Sequence, residues 1–204
     1  MGGGVAVADP LNIVMVGVGG QGLITAARVL AESAIASGSR AIVAETHGLS
    51  QRGGAVEVHV RMGSAYAPLV PEGEAHLVVG FEMIESARGV RYLRRDGSLI
   101  TSDVIMRPPI PGVVAPSRSQ IEEALRKAGV RYFVVPAREI AERAGSYLSE
   151  NMALLGAVYA SGLLTPYVDL KALKDRIGAL PNPVANLRAF EEAYSLCSSQ
   201  CRLV

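Results

Sequence analysis

Leu11-Asn12-Ile13-Val14-Met15-Val16 runs straight into Gly17-Val18-Gly19-Gly20-Gln21-Gly22, and Leu23-Ile24-Thr25-Ala26-Ala27 opens the next segment. A short, almost continuously apolar run bounded by glycines reads as a central parallel strand, buried on both faces. After the glycines, Leu23, Ala26, Ala27, Leu30, Ala34 and Ile35 recur at helical spacing, and Gly38 supplies a C-cap, so a helix is predicted over Leu23 to Ser37. Strand, glycine turn and helix in that order open an α/β sheet. The spacing Gly17-x-Gly19-x-x-Gly22 lets the first glycine turn sharply, the second admit a ligand close to the backbone, and the third pack helix on strand. The helix N-terminus then offers free N–H groups and a partial positive charge to an anion.

Working outward, Ala41 to Ala44 reads as the second strand. From Ala55 to Arg61, valines 56, 58 and 60 alternate with Glu57, His59 and Arg61, which predicts a half-exposed strand near a sheet edge. His59 is therefore expected on a surface or interface, and His76 at a strand boundary. His76 to Gly80, Leu99 to Ser102 and Arg131 to Val135 are further strands, Glu82 to Leu93 and Gln120 to Ala128 helices. Arg94-Arg95-Asp96-Gly97 reads as a solvated turn, and proline-rich Arg107 to Pro116 as an irregular loop. From Ala137 on, strands disappear: Arg138 to Ala144, Ser149 to Leu164, Asp169 to Ile177 and Pro183 to about Cys201 all read as helices. The expected fold is α/β: a Rossmann-like, mostly parallel sheet with helices on both faces and a helical C-terminal tail. The expected organisation is a disordered leader over 1–10, the α/β domain over 11–136, and a helical extension over 137–204 packed on it as one unit.

The 204 residues carry a net charge of +1 and only 19% charged side chains, which leaves no electrostatic footprint for nucleic acid. The longest apolar run, within Met152 to Leu164, is broken by Gly156, Ser161 and Gly162 and is shorter than a bilayer span of about 20 residues. Met1 to Pro10 has no Lys or Arg ahead of its apolar residues, unlike a signal peptide. The two cysteines, Cys197 and Cys201, make no disulfide framework, and a cytoplasmic setting is expected. An iron–sulfur cluster takes about four thiolates, more than this chain has. Cys197 and Cys201 stand i,i+4 on one helix face and read as ordinary thiols; no metal site is expected.

The second glycine-rich stretch is Glu45-Thr46-His47-Gly48-Leu49-Ser50-Gln51-Arg52-Gly53-Gly54. It follows a strand, where α/β sheets gather their ligands. Glu45 lies 23 residues after Gly22, near the place of a ribose-binding carboxylate. Arg52 can grip a carboxylate or phosphate through two nitrogens, and His47 can serve as acid, base or donor. The structural alternatives are pairing of Arg52 with Glu45 or Glu57, and His47 as a helix cap. The candidate catalytic residues are therefore His47 and Arg52. The candidate cofactor-binding residues are Gly17, Gly19, Gly20, Gln21, Gly22, Ser50, Gln51, Gly53 and Gly54. Asn151, heading an apolar helix, reads as a capping or packing residue.

Taken together, NIVMVGVGGQGLITAARVLAESA and ETHGLSQRGGAVEVHVRMG resemble the gamma-type subunit of 2-oxoacid:ferredoxin oxidoreductases, more narrowly the small (beta) subunit of indolepyruvate ferredoxin oxidoreductase. NMALLGAVYASGLL and NPVANLRAFEEAY are similar to that family's helical tail, so the resemblance spans about Leu11 to Tyr194. It implies a cytoplasmic heteromer that oxidatively decarboxylates a 2-oxoacid, in the narrow case an aryl pyruvate, to an acyl-CoA and reduces ferredoxin. It implies that thiamine diphosphate, Mg²⁺ and [4Fe–4S] clusters sit on a large partner subunit, that CoA is a co-substrate, and that this chain alone is inactive. The residues by themselves leave two other functions open. One is a free-standing NAD-binding dehydrogenase using Gly17, Gly19, Gly22 and Glu45. The other is an anion-sensing assembly module.

Overall fold

The computed structural model describes residues 10–47, 54–107, 112, 114–201 and 203. Most of the expected leader and of the His47-to-Gly54 loop thus lie outside the described residues. Six strands form one sheet in the order β2-β3-β1-β4-β5-β6. They are β1 (Leu11–Val18), β2 (Ala41–His47), β3 (Ala55–Met62), β4 (Ala75–Gly80), β5 (Leu93–Ser102) and β6 (Arg131–Val135). β1, β4, β5 and β6 run parallel, while β3 runs antiparallel to both its neighbours, β1 and β2. The mostly parallel α/β sheet is as expected; the place of β3 is not. It lies inside the sheet and separates β2 from β1.

Periodicity of two assigns the faces. Leu11, Ile13 and Met15 join Val56, Val58, Val60, Leu77, Val79 and Ile100 in a core covered by α1 (Leu23–Ala36) and by the C-terminal helices. Those helices are α4 (Ala137–Ala144), α5 (Glu150–Ala160), α6 (Leu170–Gly178) and α7 (Pro183–Gln200). Val14, Val16, Val78 and Leu99 meet α2 (Met83–Gly89) and α3 (Arg118–Lys127) on the other face.

The helical tail is built around α5, in which every residue from Asn151 to Ala160 is buried. Gly156 lets α7 come close: a β-carbon there would stand 2.2 Å from the Phe190 carbonyl oxygen. Cys197 and Cys201 are joined as a disulfide with Cα atoms 4.8 Å apart, so the reading of two separate thiols is corrected.

His59 is buried at 2% exposure, against the expectation of a surface residue. Its Nδ1 accepts the Val70 N–H at 3.2 Å and its ring meets Tyr92 edge-on. Arg61 donates to Asn12 Oδ1 at 2.9 Å and to the Ala67 carbonyl at 2.8 Å. Glu57 receives Arg91 at 2.6 Å and the Tyr92 hydroxyl at 2.7 Å. On the polar side of β3, His59 is buried under the segment after the strand, while Glu57 and Arg61 stay half-buried. Arg94 to Gly97 lies within β5, where the pairing with β4 shifts register, so the turn signal becomes a bulge in a strand.

Candidate functional site

Helix α1 begins where β1 ends. Gly20 (φ 104°) and Gly22 (φ 78°) occupy the left-handed region that a side chain strains. Gln21 locks the turn: its Oε1 accepts the Val18 N–H and its Nε2 donates to the Phe81 carbonyl, both at 2.8 Å. This carboxamide therefore ties the end of β1 to the residue after β4. The Gly19 N–H donates to the Gly54 carbonyl at 2.9 Å, so the two glycine-rich stretches meet. Gly17 lies within β1, where a β-carbon would press on Gln21 and Phe81 at 2.8 Å. Gly17 and Gln21 thus shape the turn, and Gly19, Gly20 and Gly22, with Gln21 on one side, line open space.

That open space has two lobes sharing Gly19, Gly20, Gly22 and Thr25 as a common wall. The first, about 430 Å³, is completed by Leu23, Ile24, Glu45 and Val56. Although β3 moves β2 one strand away from β1, Glu45 still reaches this lobe.

The second, about 560 Å³, runs under the starts of α4, α5 and α7. Its apolar rim includes Met106, Tyr147, Leu148 and Leu180, and its polar lining includes Arg138, Glu150, Asn151 and Asn186. Met106 is positioned by buried Glu82, whose Oε1 accepts the Met106 N–H at 3.0 Å. Glu150 accepts the Ser102 hydroxyl at 3.0 Å and pairs with Arg138 Nε at 3.5 Å. Burial pushes the Glu150 carboxyl above its ordinary range, with Ser102 and Arg138 opposing. Asn151 Nδ2 donates to the Gly22 carbonyl at 3.3 Å, joining the helical tail to the glycine turn. Its packing role was legible as the head of a helix.

Of the remaining candidates, His47 ends β2 opposite Val56, and Gly54 is described through its carbonyl. Ser50, Gln51, Arg52 and Gly53 lie outside the described residues. Sequence reading missed Arg138 and Glu150. The signal was an acidic residue in the first turn of an apolar helix, facing a helix start that carries Arg.

Residues 12–196 match the family described as Pyruvate ferredoxin/flavodoxin oxidoreductase. The chain belongs to this family. Within the pyruvate ferredoxin/flavodoxin oxidoreductase family it is similar to Indolepyruvate oxidoreductase subunit IorB of Archaeoglobus fulgidus, 42% identical over 152 residues, 73% of this chain and 76% of that one. The IorB subunit of Thermococcus kodakarensis is 34% identical over 194 residues, covering 88% and 92%. Pyruvate oxidoreductase subunit PORC of Thermotoga maritima has the same fold, with a TM-score of 0.68 at 25% identity, covering 92% of this chain and 97% of that one. In a 2-oxoglutarate:ferredoxin oxidoreductase of Magnetococcus marinus the fold recurs at TM-score 0.68 and 22% identity, covering 93% of this chain but 31% of that longer chain. The chain is thus a small subunit of a 2-oxoacid:ferredoxin oxidoreductase. Among the described residues no helix is long and apolar enough to cross a membrane.

Proposed function

We propose that this chain is the small subunit of a cytoplasmic indolepyruvate ferredoxin oxidoreductase, which oxidatively decarboxylates aryl pyruvates to acyl-CoA and reduces ferredoxin. The observation that carries this reading is the identity of 34–42% to IorB subunits, which covers 88–90% of this chain in the longer matches. The residues here do not fit an iron–sulfur cluster: the two cysteines pair with each other, and the described residues hold no group of three metal-ligating side chains. Thiamine diphosphate, Mg²⁺ and the clusters are assigned to a larger partner subunit.

What this chain contributes is the two-lobed cleft at the carboxyl ends of the parallel strands. The N-terminus of α1, with Gly22 as a cap that adds no side chain, favours an anionic group there. The Magnetococcus protein is described with coenzyme A bound. We assign the cleft of this chain to the phosphate-bearing arm of CoA, and keep His47, Ser50, Gln51, Arg52, Gly53 and Gly54 as candidate contacts for it.

The test is co-expression with the large subunit and measurement of ferredoxin reduction with indolepyruvate, phenylpyruvate, pyruvate and 2-oxoglutarate. Preference for the aryl substrates supports the reading. A preference for pyruvate or 2-oxoglutarate overturns the substrate assignment.

A further inference from the structure

β2 closes one end of the sheet: among the described residues no strand pairs with its outer side. Bonded residues alternate along an antiparallel pair. The Gly63 N–H donates to the Arg40 carbonyl at 2.9 Å, so the register with β3 makes Ile42, Ala44 and Thr46 the inward-bonding positions. Ala41, Val43 and Glu45 aim their backbone N–H and C=O groups at the open edge. That edge lacks the usual guards: Ala41–His47 contains no Lys and no Pro, and its pairing with β3 keeps one register throughout. Val43 is left 40% exposed.

Helix α1 flanks the same edge. Its outward stripe reads Ile24, Arg28, Glu32, Ile35, one residue per turn. Ile24 and Ile35 are both more than half exposed. Read backwards, the stripe keeps its pattern of apolar residue, two opposite charges, apolar residue. Two antiparallel copies of α1 therefore set Arg28 against Glu32 twice and Ile24 against Ile35 twice. Within one chain Glu32 stands 3.9 Å from Arg28 and 3.6 Å from Arg176, both beyond hydrogen-bonding distance, so Glu32 is open to a closer cation.

We propose that this face pairs with a second copy of the chain across a two-fold axis, β2 continuing the sheet into β2 of the copy and α1 packing antiparallel on its counterpart. The occupant is the chain itself because the pattern is complementary to itself, as an isologous contact requires. One axis serves both elements. Pairing Val43 with Val43 matches outward-bonding residues and sets Ala41 opposite Glu45, with no like charges facing. Ile24 and Glu45 line the same end of the cleft. From Glu45 back to Val43 is about 7 Å of strand. From Ile24 to the midpoint between Arg28 and Glu32 is about 9 Å of helix running the same way, so the two centres lie nearly level.

Sedimentation equilibrium of the full chain tests this. Wild type is expected to dimerise with a Kd of roughly 1–10 μM. Val43→Pro removes an edge N–H that β3 does not use, and Arg28→Glu or Glu32→Arg turns both cross-pairs into like charges; each is expected to weaken dimerisation about tenfold or more. The Arg28→Glu and Glu32→Arg chains mixed in equal amounts are expected to form a heterodimer of near wild-type affinity, because every acid then faces an arginine. The Arg28→Glu/Glu32→Arg chain is expected to dimerise alone for the same reason. A wild-type chain still monomeric at about 100 μM overturns the proposal. So does a dimer left at full strength by any of the three single variants, or a pair of charge variants that stays monomeric on mixing. Thermal melts establish that each variant is folded.

Discussion

The carboxamide of Asn151 rests directly on Gly22: its Nδ2 donates to the Gly22 carbonyl at 3.3 Å, and a β-carbon on Gly22 would lie 2.5 Å from that nitrogen. Two segments 129 residues apart in sequence thereby fix the mouth of the cleft. Gly22 is also at φ 78°, so Gly22→Ala meets backbone strain and a clash together. The expected loss is about 1–3 kcal/mol. In the Gly22→Ala/Asn151→Ala double variant the clash is gone and the strain remains, so part of the loss returns. Denaturant melts of the four proteins measure this coupling; strict additivity would show that the contact does not matter.

Gln21 holds the turn by one accepted and one donated bond. Gln21→Ala leaves the Val18 N–H and the Phe81 carbonyl without these partners, at a cost of about 1–3 kcal/mol. Gln21→Glu keeps the acceptor but sets a carboxylate oxygen against the Phe81 carbonyl, so it loses at least as much stability as Gln21→Ala. Hydrogen exchange at the Val18 amide reads it directly: fast in Gln21→Ala, slow in Gln21→Glu.

Gly156 and Gly178 are both helical glycines, yet opposite outcomes are expected on changing them to alanine. At Gly156 the new methyl meets the Phe190 carbonyl oxygen at 2.2 Å, which forces α5 and α7 apart. About 1–3 kcal/mol or more is lost. At Gly178 the nearest atom is Leu187 Cδ1 at 3.8 Å, an ordinary contact, so the gain in helix propensity leaves stability unchanged or raised by up to about 1 kcal/mol. Urea midpoints of the two variants decide it.

His59 makes stability depend on pH. Burial holds its pKa below the ordinary value of 6.5, Arg91 pulls the same way, and Glu57 opposes. The unfolded chain therefore binds a proton at His59 that the folded chain refuses. The contribution is complete above about pH 6.5 and is lost as pH falls toward the lowered folded value. His59→Asn keeps an acceptor for the Val70 N–H but does not titrate. Its unfolding free energy is expected to slope less steeply below pH 6.5 than that of wild type; an unchanged slope would mean that His59 is not the group responsible.

The strand–glycine–helix opening and the helical tail were legible because their signals are local: an apolar run, a glycine spacing, apolar residues at helical period. The place of β3 was not. Glu57, His59 and Arg61 alternate with valines as a wetted face does, and only the later segment carrying Val70, Arg91 and Tyr92 buries His59 and pairs with Glu57. Strand order is a long-range property, and nothing between Ala41 and Met62 encodes that β3 slips between β2 and β1. The cleft shows the same division. Its glycine wall stands in one short stretch, while Arg138 and Glu150 come together through the packing of α4 beside α5 and Ser102.

The central claim is that catalysis is divided between this chain and a larger, cluster-bearing subunit. The direct measurement is ferredoxin reduction with indolepyruvate and CoA by the purified large subunit, with and without this chain added in equimolar amount. Turnover is expected from the mixture and from neither protein alone; full turnover by the large subunit alone would contradict it.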